Sequence, residues 1–252
     1  MDKYLLDNRD KTILGVVCNN ARLSYNQIAK ITHISKDSVR DRILKMQKEK
    51  FILSYFPLIN YPKLGIHLFN VYCRLKSIKY SSKNQIKPLI ANPNISSLTW
   101  LMGKFDLELQ IMAKKKSDVK KVLKKSGFLE KIQEYKISVS GKPEIYSTTY
   151  LSSKAVDILP NDKNKIETLD NKDIELLELL CINARERTID LADKLDLKED
   201  EVRYRIRRLI KREIITRFHA RTNKTFVGLS RYLTLIKVKN NLNKNEIAAL
   251  KN

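Results

Sequence analysis

The sequence contains one stretch twice, and this repeat limits the folds open to the chain. LDNRDKTILGVVCNNAR at residues 6–22 and LDNKDIELLELLCINAR at 169–185 align without a gap when the chain is shifted by 163 positions. The match continues to Gly65 and Gly228, with roughly 20 identities in about 60 positions. A period of this length is too long for a solenoid repeat, so the chain contains two copies of one module.

Each copy has the pattern of three helices followed by a strand. In the first copy, apolar residues recur at helical spacing after Asp7, a suitable N-cap, and a second short helix begins near Ser24. A third helix opens at Ser35, with apolar residues spaced i, i+4, i+7. The segment FILSYFPLI then predicts a strand, with Pro57 at a sheet edge. Two helices joined by a tight turn and followed by a strand are typical of a winged helix–turn–helix.

The charge balance favours a polyanionic partner. Fifty Lys and Arg residues stand against 28 Asp and Glu, a formal net charge of +22. Nucleic acid is the first candidate and an anionic membrane surface the second. An AT-rich genome explains part of the lysine excess, but arginines also cluster in the third helix of each copy.

The third helix of each copy has the arrangement of an element that reads DNA in the major groove, because its buried stripe leaves polar and basic side chains outward. A solvated surface helix is the alternative. Ser38 and Asp41 are candidates for base contacts, while Arg40 and Arg42 lie beside the core and are candidates for phosphate contacts or support. The predicted DNA-binding residues are Ser35, Lys36, Ser38, Arg40, Asp41, Arg42, Lys45 and Lys48 in the first copy, and Lys198, Arg203, Tyr204, Arg205, Arg207, Arg208 and Lys211 in the second.

The two predicted reading helices differ at their N-terminal turns. The second copy has the acidic turn KEDE at residues 198–201, with Glu199 and Glu201 where the first copy has Lys36 and Ser38. Carboxylates at this end repel phosphate. The second copy is therefore expected to bind more weakly or to read another sequence, and the operator to be an imperfect palindrome.

Several segments resemble the Lrp/AsnC (feast/famine) family of archaeal and bacterial transcriptional regulators. They are LDNRDKTIL, NNARLSYNQIAK, ISKDSVRDRILKMQKEKFI and YPKLG, in family order. The resemblance implies a sequence-specific regulator of double-stranded DNA, built from dimers that one chain with two modules can form internally. The chain departs from the family at Lys50 and Glu213, where a glycine usually precedes the wing strand. Either the helix exit differs there or a non-glycine residue adopts an unusual φ.

Residues 66–150 have the order strand, helix, strand, strand, helix, strand, which predicts an α+β ferredoxin-like sheet with helices on one face. Its second helix is expected to begin at a capping Ser117 and to end at Gly127. By resemblance this is the family's effector-binding and dimerisation domain. MGKFDLEL is similar to the family's Gly-x-Tyr/Phe-Asp hairpin, which implies that Gly103 and Asp106 border a site for an amino acid or another small effector. In the alternative, Gly103 only makes a tight turn and Asp106 caps it.

The predicted domains follow from the repeat. They are a winged helix–turn–helix at 1–60, a ferredoxin-like domain at 61–150, a polar linker at 151–168, a second winged helix–turn–helix at 169–222 and the start of a second ferredoxin-like domain at 223–252. One strand and one helix cannot bury a sheet face. Either the sequence is truncated, which is the expectation, or a partner chain completes the last domain.

The remaining composition predicts a cytoplasmic, nucleoid-associated protein. Cys18, Cys73 and Cys181 are too far apart in sequence for a disulfide framework or a metal pair and are expected to be buried thiols. The charged N-terminus is unlike a signal peptide, and no apolar run reaches the ~18 residues of a membrane span.

Enzymatic readings find little support in the sequence. The chain has six Gly and three His, with no glycine-rich phosphate loop and no metal spacing, so neither an enzyme nor a cofactor is expected. Two alternatives stay open: a siroheme-decarboxylase-like enzyme, because that enzyme resembles the same fold, and a low-specificity, chromatin-like DNA-binding protein.

Overall fold

The structure, a computed structural model, describes residues 6–77, 83–139, 166–223 and 234–235. Three helices and a strand form the first winged unit: α1 (Asn8–Asn19), α2 (Tyr25–Thr32), α3 (Lys36–Lys48) and β1 (Ile52–Ile59). The sheet domain contains β2 (His67–Leu75), α4 (Lys83–Ile90), β3 (Ile95–Trp100), β4 (Leu107–Ala113), α5 (Lys116–Lys125) and β5 (Ile132–Val139). The second winged unit contains α6 (Asn171–Ile182), α7 (Thr188–Leu195), α8 (Glu199–Lys211) and β6 (Ile215–Thr222). Two short 3-10 turns, Tyr61–Leu64 and Leu129–Lys131, follow β1 and α5.

Side-chain caps fix where the helices of the first unit begin. Asp7 caps α1 in a reciprocal box with Asp10, and Ser24 caps α2 in a box with Gln27. Ser35 accepts a hydrogen bond from the third residue of α3. Each box satisfies two backbone N–H groups that a helix leaves without an internal partner. The three predicted helix starts are therefore confirmed.

The two winged units are joined by their wing strands, which pair antiparallel as a two-stranded ribbon. Phe56 pairs with His219, and these two residues occupy the same position in the two copies of the repeat. The pairs on either side are exchanged by the same relation: Tyr55 pairs with Ala220, and Pro57 with Phe218. A pseudo-twofold axis thus runs through the Phe56–His219 pair, and one chain contains what is otherwise an isologous dimer contact.

The paired units share one hydrophobic core. Fully buried residues of α1 and α3 and of α6 and α8 belong to one cluster, which also contains Tyr55 of β1 and Phe218 of β6. At each end of the ribbon a backbone hydrogen bond crosses between units, from Asn60 to Ile214 and from Asn223 to Phe51. Neither wing therefore completes its packing without the other.

Each reading helix leaves its last turn through a residue with a left-handed backbone. Lys50 has φ 55° and Glu213 has φ 56°, so of the two alternatives the structure has the non-glycine residue with an unusual φ at both places. A side chain in this region carries a steric cost that glycine avoids. Glu213 has an additional role, because its carboxylate pairs with Lys63 at 2.8 Å.

Replacing Lys50 by Gly is expected to raise the free energy of unfolding by about 0.5 to 1 kcal/mol, since relief of the strain exceeds the added freedom of the unfolded chain. Chemical denaturation monitored by circular dichroism measures this. Glu213→Gly is the comparison, and it should gain less because it also loses the Lys63 ion pair. A Lys50→Gly variant less stable than the parent would contradict a strained exit.

The sheet domain has the predicted βαββαβ order, with strands in the order β3-β4-β2-β5 and every neighbouring pair antiparallel. Alternate residues of β2, from Phe69 to Leu75, face a core that also contains Leu89 of α4 and Val119 and Leu123 of α5. Both helices therefore cover the same face of the sheet. The mixed α+β class and the winged unit followed by a sheet domain are confirmed.

Two local predictions are wrong. Helix α5 begins one residue before Ser117, and Lys115 is at its N-cap without a side-chain cap bond. Cys18 and Cys73 are buried as expected, whereas Cys181 is exposed on α6. The two units differ around this cysteine position. In the first unit, the thiol of Cys18 lies against the carbonyl of Ala220 on β6. The residue of β1 that is equivalent to Ala220 in the repeat is a proline, Pro57.

The predicted linker at 151–168 is described only from residue 166 onward, where Glu167 N–H donates to the carbonyl of Lys63. The predicted start of a second ferredoxin-like domain, including the strand near 233–238 and the helix NKNEIAAL, lies outside the described residues, apart from residues 223 and 234–235.

Candidate nucleic-acid interface

Helices α3 and α8 each bury one stripe and expose the opposite one. Val39, Ile43 and Met46 of α3 are fully buried, and Val202 and Leu209 occupy the equivalent stripe of α8. The stripe directly opposite is exposed in both helices, as helical geometry requires. Its members are Asp37, Asp41, Leu44 and Lys48 in α3 and Asp200, Tyr204, Arg207 and Lys211 in α8.

A partly buried ion-pair network ties α3 to α1. Nη1 of Arg42 lies 2.7 Å from Oδ2 of Asp7 and 2.7 Å from Oδ1 of Asp10. Asp10 is only 2% exposed, so its charge depends on close hydrogen bonding. The hydrogen bond from the Asp10 backbone amide, followed by the bond from Arg42, holds the pKa of the Asp7 carboxyl below its usual value.

The second unit repeats this network with one more arginine. Nη1 of Arg205 lies 2.8 Å from Oδ1 of Asp170 and 3.0 Å from Oδ1 of the fully buried Asp173. Arg208, which replaces Lys45 of the first unit, also donates to both carboxylates. Arg205 is the main cause that lowers the pKa of Asp170 to about 2. The ionised Asp170 carboxylate therefore stabilises the folded state fully above the unfolded pKa of about 3.9. This stabilisation is lost as pH falls through about 2.

These contacts bear on three of the predicted DNA-binding residues. The guanidinium groups of Arg42, Arg205 and Arg208 donate to carboxylates at the start of the first helix of the same unit, α1 or α6. Their side chains are 25%, 15% and 30% exposed. Their direct contact with phosphate stays a prediction, while the geometry gives them a bracing position beneath each reading helix. Sequence reasoning allowed the supporting role for Arg42 but missed the acidic partners, 32 and 35 residues away.

The other predicted residues lie on the exposed surface of the two helices. Ser35, Lys36, Lys45 and Lys48 are exposed on the first unit, with Ser38 half-buried. Nε of Arg40 lies 3.1 Å from Oδ1 of Asp41, and Arg203 pairs with Glu199 one turn earlier. Lys198, Tyr204, Arg207 and Lys211 are exposed on the second unit. The predicted residues of each unit therefore share the outward side of its third helix.

The predicted effector residues lie together in the β3–β4 hairpin. Gly103 has φ 141°, a backbone conformation that side chains rarely adopt. Asp106 is 7% exposed, and its Oδ2 accepts a hydrogen bond from the Leu75 backbone N–H at 2.8 Å. This bond anchors the hairpin to the end of β2. A small-molecule site beside the two residues stays a prediction.

Two equivalent arginines cross the pseudo-twofold axis, and sequence reasoning missed their role. Nη1 of Arg22 donates to the carbonyl of Ala184 at 2.8 Å, and Nη1 of Arg185 donates to that of Ala21 at 2.8 Å. Arg185 also lies over the rings of Tyr25 and Tyr55. Burial, and then the neighbouring Arg185, lower the pKa of Arg22. The signal available in sequence was the Ala-Arg pair retained at the end of both repeated stretches.

Across residues 6–77, 83–139 and 166–223, no cluster of three or more His, Cys, Asp or Glu side chains is placed to hold a metal ion. In the same ranges, no helix has the length and apolar character needed to cross a membrane.

Comparison with known proteins agrees with this geometry. A family model described as winged helix-turn-helix DNA-binding matches residues 6–52, and the AsnC-type helix-turn-helix domain matches residues 169–210. The chain is therefore a protein with two winged helix–turn–helix domains of a DNA-binding class. The AsnC-type match and the transcriptional regulators among its relatives support an Lrp/AsnC-type regulator.

Three relatives define the extent of the likeness. The chain is 22% identical over 130 residues to the HTH-type transcriptional regulator FL11 of Pyrococcus furiosus, a match that covers 51% of this chain and 85% of that protein. It is 37% identical over 67 residues to the HTH-type transcriptional regulator LrpA of Pyrococcus abyssi, which covers 27% of this chain and 48% of that protein. The solved structure of the siroheme decarboxylase NirDL has a TM-score of 0.57 and 13% identity, and covers 85% of this chain and 65% of that chain. This last likeness concerns the fold alone.

Proposed function

We propose that this chain is a sequence-specific regulator that binds double-stranded DNA with both of its reading helices, α3 and α8, as a covalent pseudo-dimer. The first unit and the second unit then take the two halves of one imperfect, inverted-repeat operator. Winged proteins of this class place the N-terminal part of the reading helix against base edges in the major groove. The exposed faces of α3 and α8, together with the net charge of +22, suit that role.

The single observation that carries this proposal is the pseudo-twofold ribbon. Because Phe56 and His219 are equivalent in the repeat and pair with one another, the two reading helices are related as the halves of a palindrome are. A free monomeric unit loses translational and rotational freedom separately at each half-site, whereas a linked pair loses it once. Recognition of two half-sites by one chain is therefore expected without prior assembly.

Selection of bound duplexes from random DNA, followed by titration of the selected site, tests the proposal. The expected result is a discrete site of two half-sites, one chain per site, and affinity that falls steeply with salt. Footprinting separates this from a chromatin-like protein, which would coat the duplex without a discrete boundary. Absence of any salt-dependent binding to duplex DNA would overturn the regulator assignment.

Arg40→Ala is expected to weaken binding to every duplex and to reduce the slope of log K against log salt by about one unit, because one phosphate contact is lost. Fluorescence anisotropy over a salt series measures the slope. Arg74→Ala, which removes a positive charge from an exposed position of the sheet domain, is the matched control and should leave the slope unchanged. Equal slopes for the Arg40→Ala protein and the parent would remove Arg40 from the phosphate contacts.

A siroheme-decarboxylase-like enzyme is the second candidate, because the NirDL fold extends over 85% of this chain. Such an enzyme needs basic and histidine side chains around a tetrapyrrole. Nδ1 of His219 instead lies 2.6 Å from the carbonyl of Cys18, on the ribbon between the two units. A tetrapyrrole absorption band in the purified protein, or binding of added siroheme, would favour the enzyme.

Three finer statements belong to the same proposal. The protein acts in the cytoplasm on nucleoid DNA. It has no catalytic role. A small effector such as an amino acid binds next to Gly103 and Asp106, and calorimetric titration with amino acids tests this third statement. Binding that persists unchanged in an Asp106→Asn variant would move the effector away from the hairpin.

A further inference from the structure

The outward stripes of the two reading helices agree at their ends and differ in the middle. Both begin with aspartate and end with lysine: Asp37 and Lys48 in α3, Asp200 and Lys211 in α8. Between them the first unit has Asp41 and Leu44, where the second has Tyr204 and Arg207. The pseudo-twofold axis brings equivalent positions to equivalent base pairs of the two half-sites. Chemical differences within the stripe therefore translate into differences between half-sites.

Arg207 is distinguished from the other arginines of α8 by its lack of an acidic partner. Arg203 pairs with Glu199, and Arg205 and Arg208 share the carboxylates at the start of α6. Arg207 is exposed and, within the part of the chain that the structure describes, forms no ion pair. A free, forked guanidinium on the outward side of a reading helix matches the paired O6 and N7 acceptors of guanine.

Leu44 presents the opposite chemistry at the equivalent position. Leu44 lies on the outward stripe between two polar residues, Asp41 and Lys48. Its side chain is 49% exposed although it is apolar. A lone exposed leucine requires no explanation elsewhere on a surface. On a reading stripe it presents an apolar surface with no hydrogen-bonding group, and the matching feature of the major groove is the thymine methyl group.

We infer that positions 44 and 207 distinguish the two half-sites: Leu44 contacts a thymine methyl in one, and Arg207 takes a guanine at the equivalent base pair of the other. The inference rests on the proposed function and adds the base specificity of the same interface. It defines one base pair at which the inverted repeat of the operator is broken, with A·T in the first half-site and G·C in the second.

The test is selection from random duplexes with four full-length proteins: the parent, Arg207→Leu, Leu44→Arg and the double exchange. The parent should select T in one half-site and G in the other. Arg207→Leu should select T in both, Leu44→Arg should select G in both, and the double exchange should reverse the order. Discrimination at that base pair should change by about tenfold in each single variant.

Arg203→Leu is the charge-matched comparison. It removes the same charge from an exposed position one turn earlier, and it should alter affinity without altering the selected base. Thermal unfolding of each protein confirms that the surface change leaves the fold intact. A uniform loss of affinity in Arg207→Leu with the base preference retained would make Arg207 a phosphate contact and overturn the inference.

The outcomes separate this inference from the proposed function. If the parent binds no duplex in a salt-dependent way, the regulator assignment itself fails. If the parent selects a two-part site but the exchanged proteins select the same bases as the parent, only the assignment of positions 44 and 207 fails. A perfect palindrome selected by the parent also overturns it, since the two helices would then read alike.

Discussion

Replacing Arg42 by Met should lower the free energy of unfolding by about 3 kcal/mol or more, and replacing Arg205 by Met should lower it by about 1 to 2 kcal/mol. Removing one partner of a buried ion pair costs this much because the remaining charge stays out of water. In the first unit, Arg42 is the guanidinium bound to Asp10, which is 2% exposed. In the second, Arg208 still donates to the fully buried Asp173 after Arg205 is lost.

Chemical denaturation measures both values, with Lys48→Met as a control. Lys48 is an exposed residue in the last turn of α3, and its replacement should change stability by about 0.5 kcal/mol or less. Equal losses for the two arginine variants would mean that Arg208 does not substitute for Arg205. A loss for Arg42→Met no larger than that of the control would mean that the α1–α3 network contributes nothing.

The elements that could be predicted from sequence are those fixed by neighbouring residues. Asp7, Ser24 and Ser35 each satisfy N–H groups within three residues, so their local sequence sets the helix starts. The left-handed backbone at Lys50 was one of two alternatives that followed from the resemblance, because the family usually has a glycine at this position. The prediction that Ser117 caps α5 was wrong, because α5 begins one residue earlier and Lys115 is at its N-cap.

What sequence reasoning missed depends on contacts between distant parts of the chain. The pairing of β1 with β6 joins residues about 160 positions apart, and nothing in either strand alone indicates its partner. From sequence, the arginines of α3 and α8 were predicted to form a basic, DNA-binding face, because their neighbours in sequence are polar. Folding places Asp10 against Arg42 and Asp173 against Arg205, which turns part of that face into an internal brace.

The shared core leads to the second large effect, at Arg185. Arg185→Ala should lower the free energy of unfolding by about 2 to 4 kcal/mol, although the residue is in a loop. The variant removes a charge-assisted hydrogen bond to Ala21 and the stacking over Tyr25 and Tyr55 in the other unit, and it leaves a carbonyl near the axis unsatisfied.

Hydrogen exchange of the backbone amides in α1 and α6 measures where this destabilisation acts. Because residues of both helices belong to one buried cluster, the two units should open together, and exchange should accelerate in α1 as much as in α6. Arg187→Ala is the matched control, since Arg187 is two residues away, exposed and paired with Asp190 on its own helix. It should change exchange little in either helix. If Arg185→Ala accelerated exchange only in α6, the two units would be stable separately. The relative placement of the two reading helices would then depend on the β1–β6 ribbon alone.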